Sequence, residues 1–383
     1  MPQTQDYTRR LIARQSITPD DAGCQAQIAA WLQAAGFEVH DYSSNEVINT
    51  LYTRAGGEYP QRPHLLLLGH TDVVPPGPRA QWQSNPFAAD ERDGMLYGRG
   101  AADMKGAVAA MVTAMQAFTE HYPDHAGRLS LLLTSDEEGP AKDGVRVVVP
   151  ALQRNQLLPD YCLVGEPSSL HRLGDNIRIG RRGSIHARLR FAGEQGHTAY
   201  ADPADNPAHR AMAVLQAITA HRFDDGDEHF PATMLHVSNI QAGTGANNVT
   251  PANLEVRFNV RNNPATPAAQ IKAWIETLLA QHDCGSCRLD WEVSGEPFVT
   301  ASGALVQAVD AAVAAVLGLQ PVHDTGGGTS DGRFFAAAGC QVVELGVVNA
   351  SIHRINENVR SADLDLLHTL YYDIIRRLLT TGG

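Results

Sequence analysis

From residue 64 to residue 70 the chain reads HLLLLGH, a continuous apolar run of the kind a strand shows when both its faces are covered. RLSLLLTS (128–135) and YCLVGE (161–166) repeat the pattern, and FEVHDY (37–42) and VINTLYTR (47–54) also read as strands. Helical spacing fills the intervals. A helix is expected over 18–36, capped by Thr18 or Asp20 and ended by Gly36, with others over 104–118 and 143–154. Strands separated by helices predict an α/β fold with a mostly parallel central sheet and helices on both sides.

Near residue 180 the rhythm changes. Strand 185–191, helix 206–221, strands 233–241 and 253–261, helix 265–282 and strand 288–294 follow one another. That βαββαβ order predicts a ferredoxin-like unit. The α/β pattern then resumes with helix 304–318, strand 341–346 and a last helix ending 366–381. The expected organisation is a large domain, 1–180 and 295–383, with a small domain inserted at 181–294.

Composition narrows the function classes. The formal charge of −12 over 383 residues argues against nucleic acid or an anionic membrane as partner. It does not exclude a small anionic substrate, since local arginines or a metal can reverse the field inside a cleft. No apolar stretch approaches the ~20 residues of a membrane span, and MPQTQDYTRRLIARQS has no apolar core after its charges, so no secretory signal is expected. Five cysteines, an odd number, fit a reducing compartment, and the cytoplasm is the expected location. CGSC, from Cys284 to Cys287, follows a predicted helix and has no second pair beside it, so it reads as a turn with two thiols.

Reactive groups in open α/β sheets collect beyond the carboxyl ends of the strands. Those positions hold His70 and Asp72, Glu137 and Glu138, Glu166, and His353 a few residues past its strand, with Asp103 in a glycine-bearing loop before a helix. Each has an ordinary explanation alone: a loop histidine, a helix cap, a solvated turn. Together, clustered carboxylates at neutral pH need protons or cations. Histidine and carboxylate donors without cysteine suit zinc, cobalt or manganese. Five ligands are too many for one catalytic zinc, and fit two cations ~3.5–4 Å apart that share a carboxylate.

GHTDVVPPGP, YGRGAADMKG, SDEEG, GEPSS and GGGTSDGRF together resemble the zinc-dependent aminoacylase and carboxypeptidase family of metallohydrolases, from about residue 10 to 375. The resemblance implies two zinc ions per subunit, with cobalt able to substitute. His70 and Glu166 would hold one, Glu138 and His353 the other, and Asp103 would bridge them. Asp72 would hydrogen-bond the far nitrogen of His70. Glu137 would be the general base that takes a proton from a metal-bridging water and passes it to the departing amine. The implied reaction is amide hydrolysis that releases succinate from a diamino acid. Family members with the same metal chemistry and another pocket, such as an acetylornithine deacetylase or a carboxypeptidase, are the near alternative. A non-catalytic metal-binding protein is the remote one, and it would have no use for Glu137.

A substrate with three carboxylates needs cationic and hydroxyl donors. By the same resemblance these are Arg181 and Ser184, Asn247, Arg261, and Gly328 and Thr329 beside the metal site, whereas Arg182 reads as solvent-facing. His197, with Tyr200 nearby, would reach the active site of the other subunit and stabilise the oxyanion. That implies a homodimer formed through the inserted domain, which then acts as both lid and dimerisation domain.

Overall fold

The 64–70 run lies inside an eight-stranded sheet in the computed structural model, which describes residues 3–57 and 63–380. The strand order is Glu38–Asp41, Asn49–Ala55, Arg128–Thr134, His64–His70, Tyr161–Val164, Gln341–Glu344, Asn176–Arg178 and Val322–Asp324. The middle four run parallel, with Leu65 opposite both Leu129 and Tyr161, and Val343 opposite Leu163. The two strands on the Glu38 side are antiparallel. Leu65 to Leu68 are buried because both faces are covered, as an unbroken apolar run requires.

Helix Gly106–His121 is buried along most of its length, as its nearly all-round small and apolar composition demands. It packs with Ser361–Leu379 and Gln3–Ile12 in the main core. The N-terminal helix escapes pattern reading because it is short and polar. Its place is set by distant partners: Thr4 Oγ1 lies 3.1 Å from Thr113 Oγ1, and the buried Lys105 donates to the carbonyls of Leu11 and Arg14. The helix expected over 18–36 is shorter, Cys24–Gln33. Asp20 accepts the amide of Ala22 in the turn that precedes it, and Asp21 accepts that of Gln25 in its first turn. The last helix is Ser361–Leu379, and residue 381 of the expected helix lies outside the described residues.

This sheet belongs to one unit, Met1–Gly180, Val299–Asp324 and Ser330–Gly383. A second unit, Arg181–Phe298 with Thr325–Thr329, has its own four-stranded antiparallel sheet, ordered Met234–Ala242, Asn253–Arg261, Ser184–Ala192, Cys287–Gly295. Helices Pro207–Ala220 and Ala268–Gln281 supply its core with Ile185, Phe191, Val256, Phe258 and Ile271. Asn206 caps the first of these, accepting the Ala208 amide at 3.0 Å, with Pro207 at the first turn. Cys284 and Cys287 are free thiols, Cys284 in the turn before strand Cys287–Gly295 and Cys287 opening it. Among the described residues no helix is long and apolar enough to cross a membrane.

Candidate metal centre

Parallel strands end side by side, so residues just beyond them meet although the sequence separates them widely. His70 is the final residue of its strand, Glu166 lies two past Tyr161–Val164, and Glu138 four past Arg128–Thr134. Gly69 and Gly165 stand one residue before His70 and Glu166. A Cβ at either would come within 2.7 Å of the Met104 methyl, so glycine lets the Met104 side chain lie directly against both strand ends.

The candidate ligands fall into two groups that share one residue: His70, Asp103 and Glu166, and Asp103, Glu138 and His353. His70 Nε2 lies 3.2 Å from Asp103 Oδ1 and 3.7 Å from Glu166 Oε1. His353 Nε2 lies 3.4 Å from Asp103 Oδ2 and 3.0 Å from Glu138 Oε1. Asp103 thus turns one oxygen to each histidine, the arrangement a bridging carboxylate requires. Within each group the ligand atoms all lie within 4.8 Å of one another, and nitrogen and oxygen donors without sulfur fit zinc or a similar divalent ion.

The electrostatics match. Burial alone would raise the Asp103 carboxyl, but hydrogen bonds with His353 and His70 hold it below the usual carboxylate range. Burial opposes charge on His70, yet Asp103 and Asp72 push its pKa well upward. His353, hydrogen-bonded to Asp103 and Glu138, is pushed up to about 10. Glu137 is driven well above the ordinary range by burial and then by the negative charge of Glu166. It carries a proton far more readily than an exposed glutamate.

Asp72 acts differently from expectation. The far nitrogen of His70, Nδ1, lies 2.9 Å from the main-chain carbonyl of Asp72 and 3.6 Å from its carboxylate. The carboxylate instead accepts the amides of Glu137 and Glu138 at 3.4 and 3.1 Å, fixing the turn that carries those two acids. Three further groups escape the sequence reading, although Arg99 and Asp331 lie in the quoted motifs. Arg99 and Glu357 form a buried ion pair at 2.6 Å, and Glu357 also accepts the amides of Ala102 and Asp103. Asp331 is buried, and neither carboxylate oxygen has a hydrogen-bond partner among the described residues. Burial pushes it to about 6 against the opposing charge of Arg333, 3.7 Å away.

The remaining candidates lie in the second unit. Arg181 is buried and donates Nη1 to the carbonyls of Gly326 and Gly328, both at 3.2 Å. Gly328 and Thr329 therefore pack with this unit. Ser184 is buried, and its hydroxyl accepts from Asn259. Arg261 is half-buried, its pKa lowered by burial and by the charge of Arg182. Arg182 is itself half-buried, with Nε shielded, and so does not simply face solvent as expected. Asn247 and Tyr200 are exposed, as is His197, whose Nδ1 accepts the Ala199 amide at 3.1 Å.

A model of peptidase family M20/M25/M40 matches residues 66–377. The chain is 51% identical over 379 residues to a succinyl-diaminopimelate desuccinylase of Alkalilimnicola ehrlichii, covering 99% of this chain and 100% of that relative. In fold it is similar to an M20 family metallo-carboxypeptidase from Sulfolobus solfataricus, with TM-score 0.81, 16% identity and 99% of both chains covered. It is also similar to a dinuclear metal-binding peptidase of the M20 family from Bacillus subtilis, with TM-score 0.71, 17% identity, and 97% and 96% covered. The motifs that first suggested a metallohydrolase and a match along nearly the whole sequence agree: this chain belongs to peptidase family M20/M25/M40.

Proposed function

We propose that this chain is a metal-dependent amide hydrolase that removes succinate from N-succinyl-LL-2,6-diaminopimelate, a step of diaminopimelate and lysine biosynthesis in the cytoplasm. The observation that carries the chemistry is Asp103, whose two oxygens face His70 and His353 separately. The choice of substrate rests on the name and the 51% identity of the Alkalilimnicola relative.

In this reading His70 and Glu166 hold one zinc, Glu138 and His353 a second, and Asp103 both, with cobalt able to substitute. Bound divalent cations supply Lewis acidity, which polarises an amide carbonyl and lowers the pKa of water. Glu137 takes a proton from the attacking water. The hydroxyl adds to the carbonyl carbon, the C–N bond breaks, and Glu137 returns the proton to the departing nitrogen. Asp72 keeps the Glu137 turn in place through the two amides it accepts. Arg181, Ser184, Tyr200, Asn247, Arg261, Gly328 and Thr329 are the proposed donors for the substrate's carboxylates. An arginine's planar fork suits that task. The active form is a homodimer through the second unit, in which His197 of the partner subunit stabilises the oxyanion.

The purified protein should be assayed on N-succinyl-LL-2,6-diaminopimelate and on N-acetylornithine, with and without a chelator. Succinate release that the chelator abolishes is the expected result. Preference for acetylornithine, or turnover that survives chelation, would overturn the assignment.

A further inference from the structure

The Arg99–Glu357 pair lies outside both groups of candidate ligands and has no part in the proton transfers assigned above. Both side chains are buried, Glu357 completely. Glu357 Oε2 pairs with Arg99 Nη1 at 2.6 Å, while its other oxygen accepts the amides of Ala102 and Asp103 at 3.0 and 3.1 Å. Arg99 Nη2 points the other way, to the carbonyls of Pro75 at 3.4 Å and His353 at 3.5 Å. One buried pair therefore touches three loops: those that follow His70, carry Asp103 and carry His353.

The backbone around it shows why such an anchor is needed. His353 and Asn356 both adopt left-handed conformations, φ 60°, which side chains other than glycine's take up infrequently. Asp103 sits in the irregular turn Ala101–Lys105, where its own dihedrals are not helical. Each loop has only a few turn bonds of its own: Lys105 N to Gly100 O at 2.9 Å in the first, and Ile352 N to Asn349 O and Arg354 N to Ser351 O at 3.3 and 3.2 Å in the second. The short ladder between Asn358–Arg360 and Met95–Tyr97 runs directly into the pair, and the Gly98 amide donates to the Glu357 carbonyl at 2.9 Å.

We propose that Arg99 and Glu357 are positioning residues that hold the Asp103 and His353 loops at the separation needed to bind the second cation. The inference rests on the metal-centre reading above. Groups behind metal ligands typically set affinity by 10- to 100-fold, and a buried pair exchanged for neutral residues of similar size leaves folding near normal. The two effects can therefore be separated.

The test compares wild-type protein with the double variant Arg99→Met/Glu357→Gln and with Arg99→Lys, each stripped of metal and titrated with Co2+. Calorimetry reads affinity, the cobalt visible spectrum reads coordination, and thermal unfolding before metal addition reads the fold. The expected result is two Co2+ for the wild type. Each variant should bind one equivalent normally and the other about 10- to 100-fold more weakly with an altered spectrum. Arg99→Lys, which keeps the charge but loses the fork to His353, covers the case in which the double variant does not fold. Two Co2+ bound by a folded variant with wild-type affinity and spectrum would overturn the positioning role and leave the proposed reaction standing. A wild-type protein that binds no Co2+ would overturn the metal centre and this role with it.

Discussion

In a metal-stripped preparation the two histidines would carry the positive charge that cations otherwise bring to these carboxylates. His353 is raised from the ordinary ~6.5 to about 10 by hydrogen bonds to Asp103 and Glu138. A raised pKa favours the charged form, so its stabilising contribution is complete below pH ~6.5 and is lost as pH rises through about 10. A cation takes a neutral imidazole nitrogen and must displace that proton. Zn2+ added at pH 7 in weak buffer should therefore release protons, about one to two per chain, read with an indicator dye. No release would contradict the charged His353. Glu137 belongs to the same scale. Glu137→Gln keeps its shape but cannot take a proton, so kcat should fall by about 10²–10⁴ while metal analysis stays unchanged. Near-normal turnover would remove Glu137 from its role.

Strand ends deliver most of the candidate ligands, and the elements behind them hold those ends in place. Gly165 is one example: a Cβ there would lie 2.6 Å from the Met104 methyl and 2.7 Å from that of Met111. Gly165→Val should cost about 1–3 kcal/mol by overpacking and move Glu166, so both Tm and metal affinity fall. Unchanged values for both would show that the two methionines yield freely. Element identity was readable where one period runs for long enough, as in 64–70 or Gly106–His121. It failed for Gln3–Ile12, whose burial comes from distant partners. It also missed the small hairpin of Asp90–Arg92 and Met95–Tyr97. There the Asp93-Gly94 pair, both left-handed at φ 52° and 75°, was the available signal.

At the scale of the molecule, each unit has its own core and its own polar fastenings. In the second unit Asp224 accepts from Thr266 Oγ1, Gly226 N, Thr233 N and Asn263 Nδ2, tying the 224–233 segment to 263–266. Burial alone would raise this carboxyl, but these hydrogen bonds depress it. Its stabilisation is therefore present above the unfolded value of ~3.9 and is lost as pH falls towards the folded one. Asp224→Asn should cost about 1–3 kcal/mol and flatten the acid-side loss of stability. Hydrogen exchange should show the change within Arg181–Phe298 and none at the candidate ligands. Equal loss of protection in both units would contradict a local fastening.

Periodicity and strand-end position gave the α/β class, the βαββαβ order of the insertion and most of a pool of seven acids and histidines, from which the resemblance picked the five candidate ligands. The class, the order and the pool follow from local period and from a general rule about where open sheets carry their chemistry. Only the tertiary structure decided how Asp103 divides its oxygens, that the Asp72 carboxylate serves the Glu137 and Glu138 amides, and that Thr325–Thr329 pack with the second unit. It alone paired Arg99 with Glu357, 258 residues apart. Those contacts depend on the register in which distant segments meet, and no local spacing encodes that register.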